Sequence, residues 1–121
     1  MKEETSSWIK RAKSDLKKAK DNIKISHYDL VSFLCQQSAE KALKAVLIEK
    51  TNNFPRIHDL VKLGRLVNIN EPLLKECEKL ISAYIEARYP DTPDRKFTKL
   101  ESAEDIKSAE IILKWAKKQI S

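Results

Sequence analysis

The sequence contains a single glycine, Gly64, in 121 residues, and only four prolines. A β protein needs turn residues every few positions, so this scarcity excludes a sandwich or barrel. It also excludes a phosphate-cradling glycine loop, which needs several glycines close together. Histidine is nearly as rare. His27 and His58 lie in different segments, and neither has a second soft ligand three or four residues away. That spacing excludes a zinc site, and neither a metal nor another cofactor is expected. The two cysteines, Cys35 and Cys77, each sit in an apolar stripe and read as buried free thiols rather than a disulfide or a nucleophile. No run approaches the roughly 18 apolar residues of a membrane span. The opening MKEETSSWIKRAKSDL is charged from its start and lacks the apolar core of a signal peptide. These absences predict a cytoplasmic protein with no membrane partner.

What is present is helix-forming. Lys, Glu, Ala, Leu and Ile dominate, and all but Ile favour the helix. The length suits one domain over residues 1–121, large enough to bury a core unaided. With 24 Lys and Arg against 18 Asp and Glu, the formal net charge is +6, which favours polyanionic partners such as RNA or nucleotides. The charges are interspersed rather than blocked, so a solubilising lysine coat accounts for the same excess.

The pattern centres on Leu30–Lys50. On a helix, Val31, Leu34, Cys35, Ala39, Ala42, Ala45 and Val46 form a broad apolar arc. Gln36, Gln37, Glu40, Lys41 and Lys44 gather opposite, with Phe33 and Leu47 among them. A face carrying Phe and Leu between polar residues predicts contact with something, so Phe33, Gln36, Gln37, Glu40 and Leu47 are the candidate interface.

Around it the rhythm predicts four further helices. The first is expected to be capped at Thr5–Ser7, with Trp8, Ala12, Leu16, Ala19 and Ile23 buried and Lys10, Lys13, Lys17, Lys18 and Lys24 outward. Ser26 or Asp29 is the expected cap of the central helix. A short helix follows through Leu60, Leu63, Leu66 and Val67. Gly64 within it marks either a close approach or the helix end. Asn70 and Pro72 open the fourth helix, which stops at Ala87 or Arg88 because Pro90 disfavours the α conformation before it. Ser102-Ala103-Glu104-Asp105 is the expected capping box of the fifth. The fold class is therefore all-α, an up-and-down antiparallel bundle of four to five helices.

The remaining chemistry is a polar set at helix ends and in the long irregular stretch. Lys41, Lys44, Arg56, His58, Arg88, Tyr89, Asp91 and Arg95 form a candidate site for a nucleotide or other polyanion, with cations on phosphates and Tyr89 stacked on a base. Each also has a plain structural explanation. Arg88 suits the end of the fourth helix, Asp91 suits a pair with Arg88 or Arg95, and His58 suits the start of the third helix.

The blocks FLCQQSAEKALKAVLIEK, FPRIHDLVKL and YIEARYPD, in that order and after the opening WIKRAKSDLKKAK, resemble the small stand-alone HEPN-domain proteins of bacteria and archaea over nearly the whole chain. The resemblance implies a helical bundle that is often a homodimer. It also implies nucleotide binding and a complex with a minimal nucleotidyltransferase, in the manner of a toxin–antitoxin pair. Other HEPN proteins are metal-independent ribonucleases that use an Arg followed, after four to six residues, by a His. Here Arg88 takes the Arg position and no His follows His58, so the catalytic pattern is incomplete and no catalytic residue is assigned. The expected function is a non-catalytic nucleotide-binding or accessory subunit. A ribonuclease toxin with a degenerate motif and a purely structural dimerisation module are the alternatives.

Overall fold

The computed structural model describes residues 1–53, 56–88 and 97–121, with residues 82–88 described by their backbone alone. Five helices follow one another: α1 (Glu3–Ile23), α2 (Tyr28–Thr51), α3 (Leu60–Leu66), α4 (Glu71–Arg88) and α5 (Lys99–Ile120). No strand occurs among the described residues. The four long helices form the expected up-and-down bundle. Ser32 Oγ donates to Asp105 Oδ2 at 2.6 Å and Lys50 Nζ donates to Gln119 Oε1 at 3.5 Å, so α2 and α5 run in the same direction. Between them lie antiparallel neighbours, α1 on one side and α4 on the other, while short α3 packs on α2 and α4.

Helix α2 is the axis of the molecule, since it packs against each of the other four helices. From Ala42 to Ile48 every residue is buried. Small side chains let the neighbouring helices come close. Ala12, Ala19, Ala39 and Ala42 are fully buried, and Ser38 Oγ on α2 donates to the Ala12 carbonyl of α1 at 2.7 Å. Gly64 has the same use between α3 and α4. A Cβ there would lie 3.1 Å from Ile69 Cγ2 and 3.3 Å from Leu74 Cδ1, so close approach is what it serves, two residues before α3 ends.

Three expected caps are corrected. Helix α1 starts at Glu3, before the three hydroxyl residues, with Lys2 in the N-cap position. Thr5 is buried instead of capping, and the Lys2 ammonium donates to the Ile48 and Glu49 carbonyls at 3.0 and 2.9 Å, closing the C-terminus of α2. Neither Ser26 nor Asp29 caps α2; His27 holds that position without a side-chain bond, and Ser26 takes a left-handed turn (φ 64°). Helix α5 begins at Lys99, where Thr98 Oγ1 accepts from the Glu101 amide at 3.1 Å. Ser102 and Asp105 lie inside that helix and turn to α2 instead. Asn70 caps α4 as expected, its side chain accepting from the Leu73 amide at 3.1 Å.

Candidate functional site

The periodicity of α2 places Gln36, Glu40 and Lys44 one above another along one stripe. All three are buried, which costs free energy unless their polar atoms find partners. Glu40 is the hub. One carboxylate oxygen lies 3.8 Å from Lys44 Nζ and the other 3.1 Å from His58 Nδ1, while the carboxylate side chain is only 5% exposed. Lys44, equally enclosed, lies 5.7 Å from the Trp8 ring centroid, and Arg11 covers the same indole at 5.3 Å. One turn further along α1, Asp15 receives Lys41 at 2.5 Å. Gln36 accepts from Gln37 Nε2 at 2.8 Å.

His58 differs from the rest because its side chain is 77% exposed. It precedes Asp59, whose carboxylate caps α3 by accepting from the Val61 and Lys62 amides at 3.0 and 3.2 Å. The cap fixes the chain entering α3, so the imidazole reaches back to α2. A carboxylate accepts only, so the contact assigns the N–H to Nδ1 and leaves Nε2 on the solvent side. The result is an imidazole edge held at the surface by a buried carboxylate, with an ammonium group behind it. Such an edge can hold a phosphate oxygen or exchange a proton.

The structure thus brings together Lys44 and His58 from the expected set, through Glu40. Lys41 lies nearby but is committed to Asp15, and Arg56 is exposed two residues before His58. The Arg88 side chain and Tyr89, Asp91 and Arg95 lie outside the described residues. Of the expected interface, Gln36, Glu40 and Leu47 are buried by the chain's own elements, and Phe33 and Gln37 keep partial exposure. Sequence reading missed the roles of Trp8, Arg11 and Asp15. Their helical spacing of three and four residues carried a signal, a ridge on the flank of the α1 core stripe, but nothing showed which side of α2 that ridge would meet.

The thiols do not contribute to the site. Both cysteines are buried and unpaired. Burial pushes the Cys77 thiol up to about 12, with Glu76 and Glu78 adding to the shift, and burial likewise raises Cys35 far above its ordinary value, helped by Asp105 and Glu110. A thiol so disfavoured as thiolate is a poor nucleophile. Among the described residues no group of three or more His, Cys, Asp or Glu side chains is placed to hold a metal ion. No described helix is long and apolar enough to cross a membrane.

The fold and this polar cluster define a small single-bundle helical protein built around one central helix. The HEPN domain family model matches residues 5–120, so the chain belongs to the HEPN family. It is 33% identical to "Putative toxin MJ1304" of Methanocaldococcus jannaschii, over 88% of this chain and 81% of that protein. Among solved structures it is similar to ST0689, an archaeal HEPN homologue, at 34% identity and TM-score 0.84 over the full length of both chains. It is also similar to TT1696 from Thermus thermophilus, at 25% identity and TM-score 0.89 over 98% of this chain and 99% of that one.

Proposed function

We propose that this protein is the non-catalytic HEPN subunit of a two-component, toxin–antitoxin-like pair, and that it binds a nucleotide beside a minimal nucleotidyltransferase partner. The observation that carries the reading is the His58 edge held by Glu40. A buried carboxylate fixes an exposed imidazole, with Arg56 close in sequence to join it on a phosphate. The relative named as a toxin supports the pairing. Calorimetric titration with ATP and GTP tests it. Saturable heat is expected from the native chain, and its loss from His58→Ala. No heat at saturating nucleotide, together with no complex on mixing with a co-encoded nucleotidyltransferase, would remove the reading.

One observation favours a second reading, metal-independent ribonuclease activity. The imidazole missing downstream of Arg88 is offered by another segment, since His58 has a carboxylate partner that orients it. RNA cleavage in the presence of chelator, abolished in His58→Ala and in Arg88→Ala, is its signature. RNA left intact at high protein concentration rules it out.

A further inference from the structure

A second charged region lies on the other flank of α1. Taking Ala12, Leu16 and Ala19 as the buried stripe, the 3.6-residue period places Trp8, Arg11 and Asp15 on one side of it. Lys13, Lys17, Lys20 and Lys24 fall on the other side within one narrow arc. There α1 faces α5 in antiparallel register, with Lys20 Nζ 3.2 Å from Glu110 Oε2 and Lys13 beside Lys117. The seam opens into a groove of about 330 Å³ lined by Leu16, Lys20, Glu110, Leu113, Lys114 and Lys117.

Two features distinguish this groove from an ordinary lysine coat. First, Lys13 and Lys117 approach each other across the seam, although helix surfaces normally alternate charge signs at such positions. Desolvation and then the neighbouring Lys13 hold the Lys117 ammonium below its ordinary value. An anion between the two would offset the repulsion between the ammonium groups. Second, the lysines form a rail. From Lys13 to Lys24 the α1 row extends about 16 Å, at roughly 1.5 Å per residue. A rail of that length suits an extended chain of charges better than a compact one.

We propose that the groove between α1 and α5 binds one sugar-phosphate strand of a nucleic acid, held by Lys13, Lys20, Lys114 and Lys117. The floor decides between a nucleic acid and an acidic protein segment. Leu16 and Leu113 are already buried within the bundle, so an amphipathic peptide has little apolar surface to cover there. Phosphates need no such surface, only cations along their path. Among the described residues no aromatic ring lines the groove, so bases are not stacked and the strand is held without regard to sequence. Glu110 is the one carboxylate among the described lining residues, and it opposes the ligand.

Fluorescence anisotropy of a labelled oligouridine across a salt series, using the full chain, tests the proposal. Four phosphate contacts on a single strand predict a slope of log K against log salt near −2.8, at about 0.7 per contact. The Lys114→Gln/Lys117→Gln variant should weaken binding roughly tenfold and reduce the slope by about 1.4. Lys13→Gln/Lys20→Gln, on the facing helix, should do the same, while Glu110→Gln should strengthen binding. Circular dichroism confirms that the variants fold. On adding the strand, the Lys117 ε-methylene NMR titration should move back up towards the ordinary lysine range. The proposal is overturned by an absence of binding, by affinity and slope unchanged in both double variants, or by equal lysine-dependent binding of oligoglutamate.

Discussion

The two flanks of α1 use lysine in opposite ways. On the flank facing α2, the α2 residue Lys44 is almost completely enclosed, and Glu40 and the Trp8 ring surround its charge. On the flank facing α5, Lys114 and Lys117 line one groove, Lys13 lies beside Lys117, and Glu110, the one carboxylate among the described lining residues, is already engaged by Lys20. The first arrangement is internally satisfied and holds elements together. The second leaves like charges side by side, with Lys20 and Glu110 paired across the seam. Charge that the fold neutralises belongs to structure; charge left unbalanced beside a groove is available for a ligand.

The largest way to break this contrast is Glu40→Gln. It removes the negative charge that faces the buried Lys44 ammonium and the His58 imidazole, leaving only a neutral carbonyl acceptor, and breaking a buried pair costs about 3 kcal/mol. Urea denaturation should show that loss, whereas a change below about 1 kcal/mol would mean that Lys44 is served well enough by its other contacts. Association should follow the same division. We propose that the chain pairs with a second copy through α2: Phe33→Glu, on half-buried α2 surface, is then expected to give a monomer's sedimentation mass where the native chain gives a dimer's. Lys17→Gln, on the lysine flank, is expected to leave the mass unchanged. A monomeric native chain removes the proposal, and the opposite response of the two variants would place the contact on α1.

Alkaline titration separates two shifted groups, one buried and one exposed. The Cys77 thiol is raised in the folded chain, so its stabilising contribution is complete below about pH 9, the ordinary thiol value, and declines between there and about 12. Stability measured across that window should fall less steeply in Cys77→Ala, once its lower baseline is allowed for. A slope identical to that of the native chain would place the titration on another group. Lys117 has the opposite sign. Its ammonium is disfavoured in the folded chain, so the penalty is present at neutral pH and is relieved as pH rises towards 10.5. Lys117 is exposed, so the effect is the smallest of the four, and Lys117→Gln should change stability at neutral pH by no more than about 0.5 kcal/mol. A clear loss of stability in that variant would show that Lys117 supports the bundle.

Much of the fold was legible because apolar periodicity is local. The α2 stripe, the Asn70 cap and the end of α4 at Arg88 each depend on residues within a few positions. The caps of α1 and α5 were misplaced because several hydroxyl residues competed for one position, and distant partners settled the choice. Lys2 found the carbonyls of α2, and Ser102 and Asp105 turned to α2 rather than to their own amides. The site was legible only by residue type. Lys44 and His58 were both expected there, but Glu40 was assigned to an interface, and its burial became visible only once α1 and α3 were in place.

By itself, the sequence determined that this chain is helical and which apolar stripes turn inward, because a 3.6-residue period and the lack of turn residues leave few other solutions. The tertiary structure alone decided which charges meet between elements. The reach of His58 to Glu40, the enclosure of Lys44 by Trp8 and the facing of Lys13 with Lys117 join residues far apart in the chain. Packing sets those distances, and charge energy depends on distance and burial rather than on order along the sequence.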